Sequence, residues 1–243
     1  MKRRTGIAWA LCLGALLAAG TAGAATAAVG PGSDWKAIAR WPDLMTGMWA
    51  ENYNPRNMPK PVLTAAAQAE LQRQPKAAEG NGASCKPLGM PEALMPGYPM
   101  AFFYTRGSIF IMSDMDDLIV RHVFMDRSTH GDPDPSWNGD SVGHWDGNTL
   151  VIDTAAIDEA APLAGLPSGG KTHIVERIHM TTPDKLEWVT TVDNPAILAK
   201  PWQFTKTYVR HRDWTIEIVS CLEGNRDAPD ASGKEHVDLT PPK

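Results

Sequence analysis

From Ala101 onward the chain is cut into short stretches of β-branched and aromatic residues, each closed by a tight-turn signal. That punctuation constrains the fold more than any other feature. Ala101 to Met112 reads as one hairpin broken at Arg106-Gly107. Leu118 to Met125 alternates, with Leu118, Val120, His122 and Phe124 on one face and Ile119, Arg121, Val123 and Met125 on the other. Val142–Trp145 and Thr149–Thr154 flank Asp146-Gly147, a strong hairpin signal. Further strands are predicted at His173–Thr181, Leu186–Val192, Trp202–Arg210 and Trp214–Cys221, with turns at Pro183-Asp184-Lys185 and Arg212-Asp213. Roughly eight or nine strands so joined must bury one face and hide their edges, which a closed barrel or strongly curved antiparallel sheet does. No helices alternate with the strands, so a doubly wound parallel sheet is excluded. The fold class is therefore mainly β, barrel-like, with one short N-terminal helix at Ala65–Gln74 capped by Thr64.

The chain divides into four parts: residues 1–24, a Pro- and Trp-containing lead-in with the helix over 25–100, the β core over 101–226, and a polar tail over 227–243. The first part reads as a secretory signal peptide. Lys2, Arg3 and Arg4 precede an apolar core from Ile7 to Ala19, and Ala22-Gly23-Ala24 is a suitable cleavage site. The apolar stretch is shorter than the ~20 residues a bilayer span requires, and no other segment is long and apolar enough. A periplasmic or secreted location follows as the expectation. Cleavage removes three cations and takes the formal charge from −5 to −8, which disfavours nucleic acid as a partner. Two cysteines remain, Cys85 and Cys221, and an oxidising compartment favours their pairing as a disulfide.

Chemistry is concentrated between Arg121 and Asp146. His130 is the natural acid/base candidate, with Asp126 or Asp140 to orient it and Arg121 to hold a carboxylate or oxyanion. Trp137, Asn138, Ser141 and His144 are candidate substrate contacts, as is Arg177. The same segment also reads as a solvated loop, since Asp132-Pro133-Asp134-Pro135 is a good turn former. His173, Arg177 and His179 share one face of their strand and Ile174, Glu176, Ile178 and Met180 the other; alternation alone leaves open which points inward. The histidine spacings fit no metal-ligand signature. The chain has no P-loop, dinucleotide fingerprint, nucleophile elbow or haem-attachment motif, so neither a cofactor nor a metal is expected.

Arg121 to Thr154 resembles the signature of a family of secreted bacterial proteins mostly without assigned function. That signature runs R-x-I-x-x-D-x-R-x-H-P, then P-T-W-N-G-x-S-x-G-x-W-x-G-D-T-L-V-V-D-T. Here it is carried by Arg121, Asp126, His130, Pro135, Trp137, Asn138, Gly139, Ser141, Gly143, Trp145, Gly147, Leu150 and Asp153. Gly131 stands where the family has Pro, and Asp140 where it often has His. Gly47-Met48-Trp49 also resembles the G-x-W of lipocalins. Together these features predict an exported barrel acting on a small apolar or aromatic molecule. Three uses remain open: first a cofactor-free lyase, dehydratase or isomerase working through His130, then a non-catalytic carrier or sensor, and third a structural envelope protein whose motif braces loops.

Overall fold

Among the described residues, nine strands hydrogen-bond edge to edge and close on themselves into a barrel. The structure, a computed structural model, describes residues 44–51, 58–73, 88–113 and 119–216. In chain order these hold β1 (Met48–Glu51), α1 (Ala65–Arg73), a 3-10 turn (Glu92–Leu94), β2 (Met100–Thr105), β3 (Ser108–Ser113), β4 (Ile119–Phe124), β5 (Asp140–Asp146) and β6 (Thr149–Ala155). The small hairpin β7 (Pro162–Leu163) and β8 (Leu166–Pro167) follows, then β9 (His173–Thr182), β10 (Lys185–Asp193) and β11 (Trp202–His211). Around the barrel the order is β1-β11-β10-β9-β6-β5-β4-β3-β2. The mainly β, barrel-like, lipocalin-like class expected from the turn punctuation is what the chain adopts.

The long strands form where period-two alternation is cleanest. Leu186, Trp188, Thr190 and Val192 on β10 are buried, as are Trp202, Phe204, Lys206, Tyr208 and Arg210 on β11. Their neighbours Gln203, Thr205 and Thr207 are exposed. Such a sheet buries one face and solvates the other. At the centre, Phe102 packs edge-on against Trp49 at 6.4 Å and lies 6.2 Å from Trp188. The Arg210 guanidinium lies over the Trp49 ring, 4.4 Å from its centroid, and Trp49 Nε1 donates to the Leu44 carbonyl at 3.1 Å. The tryptophan of the G-x-W tripeptide thus anchors the closing strand. Gly47, at φ +73°, brings β1 so close to β11 that a Cβ would lie 2.3 Å from the His211 carbonyl oxygen.

Three features differ from the sequence expectation. The pairing is not antiparallel throughout: β4 and β5 run parallel, matched only at Val123–Ser141 and Phe124–Val142. Residues 125–139 cross between them, where a tight hairpin would have made the pair antiparallel. The lead-in segment contributes β1 to the barrel, a strand too short for periodicity to reveal. Finally, Trp214 to Ile216 are not strand; the chain turns at Arg212-Asp213 and the Trp214 ring stacks on His211 at 3.8 Å. Thr64 caps α1 as expected, its Oγ1 accepting from Ala67 N at 3.1 Å. Cys85, Cys221, the signal-peptide segment and the polar tail lie outside the described residues.

Candidate functional site

The wall of the barrel separates two polar clusters that the sequence runs together. Alternation is the reason: Asp140 and Ser141 are neighbours on β5, so one side chain points outward and the other inward.

The outer cluster is built around His130. Its Nδ1 lies 2.7 Å from Asp140 Oδ2 and its Nε2 lies 2.8 Å from Asp153 Oδ1. His173 Nε2 reaches the same Asp153 oxygen at 2.8 Å. Arg127 ion-pairs with Asp140, donates to the His130 carbonyl at 3.3 Å, and lies over the Phe124 ring at 3.7 Å. Burial pulls the His130 pKa down, but the hydrogen bonds to Asp153 and Asp140 outweigh it and the net shift is upward. Burial likewise pushes Asp153 up, yet its bonds to His130 and His173 hold it below the usual carboxylate range. The imidazole therefore ties the crossover loop to β5 and β6. Both of its nitrogens are taken by carboxylates, which leaves neither for a substrate proton.

The inner cluster surrounds Arg121, whose side chain is 5% exposed and ion-pairs with the fully buried Glu176. Its Nη1 donates to Glu176 Oε1 at 2.9 Å, its Nη2 to Thr154 Oγ1 at 2.6 Å and to Glu176 Oε2, and its Nε to Ser141 Oγ at 3.1 Å. Trp188 Nε1 donates to Glu176 Oε1 at 3.0 Å. Burial first, then the negative charges of Glu51 and Glu176, push the Tyr208 hydroxyl well above its ordinary pKa, so it stays protonated. A second buried ion pair joins Lys206 Nζ to Glu51 Oε2 at 2.5 Å, with Nζ also 3.2 Å from the Met95 carbonyl. Burial outweighs their mutual attraction, shifting Glu51 up and Lys206 down.

A pocket opens beside the 3-10 turn and descends to this network. Its walls are mainly Met90, Leu94, Met100, Ile111, Trp188 and Tyr208; Arg121 and Asn138 supply polar groups. The enclosed part is about 30 Å³, room for one or two waters or a single small polar group, and the 450 Å³ between all the walls takes in the open space at the mouth. Asn138 is held by the loop that crosses from β4 to β5, its Nδ2 donating to the Val120 carbonyl at 3.4 Å. Its Oδ1 is buried with no hydrogen-bond partner. A buried acceptor left unpaired costs about 1–3 kcal/mol, a loss that a hydrogen bond from a water or a ligand donor recovers.

Of the sequence candidates, Arg121, Asn138 and Ser141 come together at the pocket and its base, and Trp137 packs beside Gly89 at the edge of the core. His130 and Asp140 meet on the outside, away from them. Asp126 is not the partner of His130: it sits exposed against the β2–β3 turn, where a Cβ on Gly107 would touch it. His144 and Arg177 are exposed on the outer face, and Arg177 pairs with Asp146 at 2.6 Å. His173 and His179 share that outer face, which settles the open orientation of β9: Ile174, Glu176 and Ile178 point inward. Glu176 and Asp153 were not among the candidates. A lone acid on the apolar face of β9 was the available signal for Glu176; for Asp153 the available link to His130 was that both fall on the signature.

Fold and cavity together define a class: a closed, lipocalin-like barrel with a pocket entering its interior. The chain matches no protein-family model and no curated protein.

Proposed function

We propose that this protein is an exported carrier or sensor that takes a small, largely apolar molecule into the pocket beside Asn138. The unpartnered Oδ1 of Asn138, a residue that lines a largely apolar cavity, carries the reading. Ligand sites combine such apolar walls with a few placed polar groups. The aromatic faces of Trp188 and Tyr208 suit a flat or slender ligand. Membership of the secreted family with the P-T-W-N-G signature belongs to the same proposal, since Trp137 and Asn138 are signature positions. The engagement of both His130 nitrogens, outside the wall from the pocket, favours the carrier over a His130-dependent lyase or isomerase.

The test uses protein recovered from the periplasm of an expressing bacterium. Its intact mass reports the leader, and a mass that begins at Ala25 is expected. The protein and its Asn138→Leu and His130→Ala variants are incubated with a complex small-molecule extract and the retained and consumed compounds are profiled. The reading expects retention of at most one molecule per protein, reduced about tenfold or more by Asn138→Leu and unchanged by His130→Ala. Consumption of a compound far in excess of the protein, lost with His130→Ala, overturns it in favour of the enzyme.

A further inference from the structure

We propose that the pocket selects an uncharged head group able to both donate and accept hydrogen bonds, a primary carboxamide being the simplest, and that Glu176 enforces the selection against anions. The inference rests on the pocket being a ligand site. Its first ground is the inventory of Arg121. A guanidinium carries five N–H donors. Four are spent on Ser141, Thr154 and the two oxygens of Glu176, which leaves one hydrogen, on Nη1, in a residue that lines the cavity. The second ground is Asn138 Oδ1, an acceptor that takes only a donor. A ligand head group that fills both roles needs a carbonyl for the one and an N–H or O–H for the other.

The third ground is charge. An arginine facing a cavity alone would grip a carboxylate in a two-pronged bond. Here Glu176 already occupies that grip, fully buried, so an entering carboxylate meets no unmatched cation and a fixed anion behind it. The neighbouring Lys206 is likewise matched by Glu51. An anion would surrender its hydration to largely apolar walls without compensation, whereas an amide exchanges its water hydrogen bonds for two protein ones. Glu176 is thus a specificity-determining residue that acts through Arg121.

The experiment compares two probes of one shape, phenylacetamide and phenylacetate, by calorimetric titration at neutral pH against the periplasmic protein and its Glu176→Gln variant. The wild type is expected to bind the amide at least tenfold tighter than the carboxylate. Glu176→Gln, which keeps a hydrogen-bonding side chain and removes the charge, is expected to reverse that preference. Equal or tighter carboxylate binding by the wild type overturns the charge selection while leaving the pocket as a ligand site. An unchanged preference in a folded Glu176→Gln overturns the role of Glu176. Binding of neither probe by the wild type overturns the pocket reading together with the inference. The wild-type comparison decides the selection even if the variant fails to fold.

Discussion

His130 holds two carboxylates at once, and the sign of its pH effect follows from that geometry. Its folded-state pKa is raised. The stability it contributes is therefore fully present below the ordinary histidine value and lost as pH rises through the folded one. His130→Ala should lower stability by about 1.5–3 kcal/mol at pH 6, the worth of a hydrogen bond to a charged group, and by clearly less at pH 9. Urea midpoints at the two pH values check this; an equal loss at both would mean the imidazole is not charged in the folded state. The inner pair behaves differently because both side chains are buried. Replacing Arg121 or Glu176 alone strands a buried charge and should cost about 3–5 kcal/mol. The double substitution Arg121→Met with Glu176→Leu strands none and should cost markedly less than the two single losses combined. A double-mutant cycle in urea measures the coupling directly.

At the scale of elements, the crossover from β4 to β5 decides what the pocket contains. Gly139, at φ +67°, lets this segment turn against β6, where a Cβ would sit 2.6 Å from the Ala155 carbonyl oxygen and 2.8 Å from Thr154 Cγ2. Gly139→Ala should cost on the order of 1–3 kcal/mol and weaken ligand binding by displacing Asn138, which precedes it. Chemical denaturation read alongside titration of the retained ligand tests both halves. The long strands were legible in the sequence because each alternates over several residues between turn formers, as in β9, β10 and β11. The short ones were not. β1 has four residues, and β7 and β8 have two each, so their pairing partners rather than their own pattern make them strands.

For the whole molecule, closure leaves no half able to stand alone. β1 touches both β2 and β11, and the core from Trp49 through Phe102 to Trp188 crosses the barrel. Unfolding is therefore expected to be a single cooperative transition, with tryptophan fluorescence and far-ultraviolet circular dichroism coinciding in urea. Separated transitions would mean that the lead-in strand detaches before the sheet. By itself the sequence determined the class of fold, the hairpins at Gly107 and Gly147 and the residues available for chemistry, since alternation and turn propensity are local properties of the chain. Which face of β9 points inward, that Arg121 meets Glu176 across 55 positions, and that His130 and Asn138 lie on opposite sides of one wall were decided by the tertiary structure alone. A one-residue change of register reverses every side chain of a strand, and only closure of the barrel fixes that register against water.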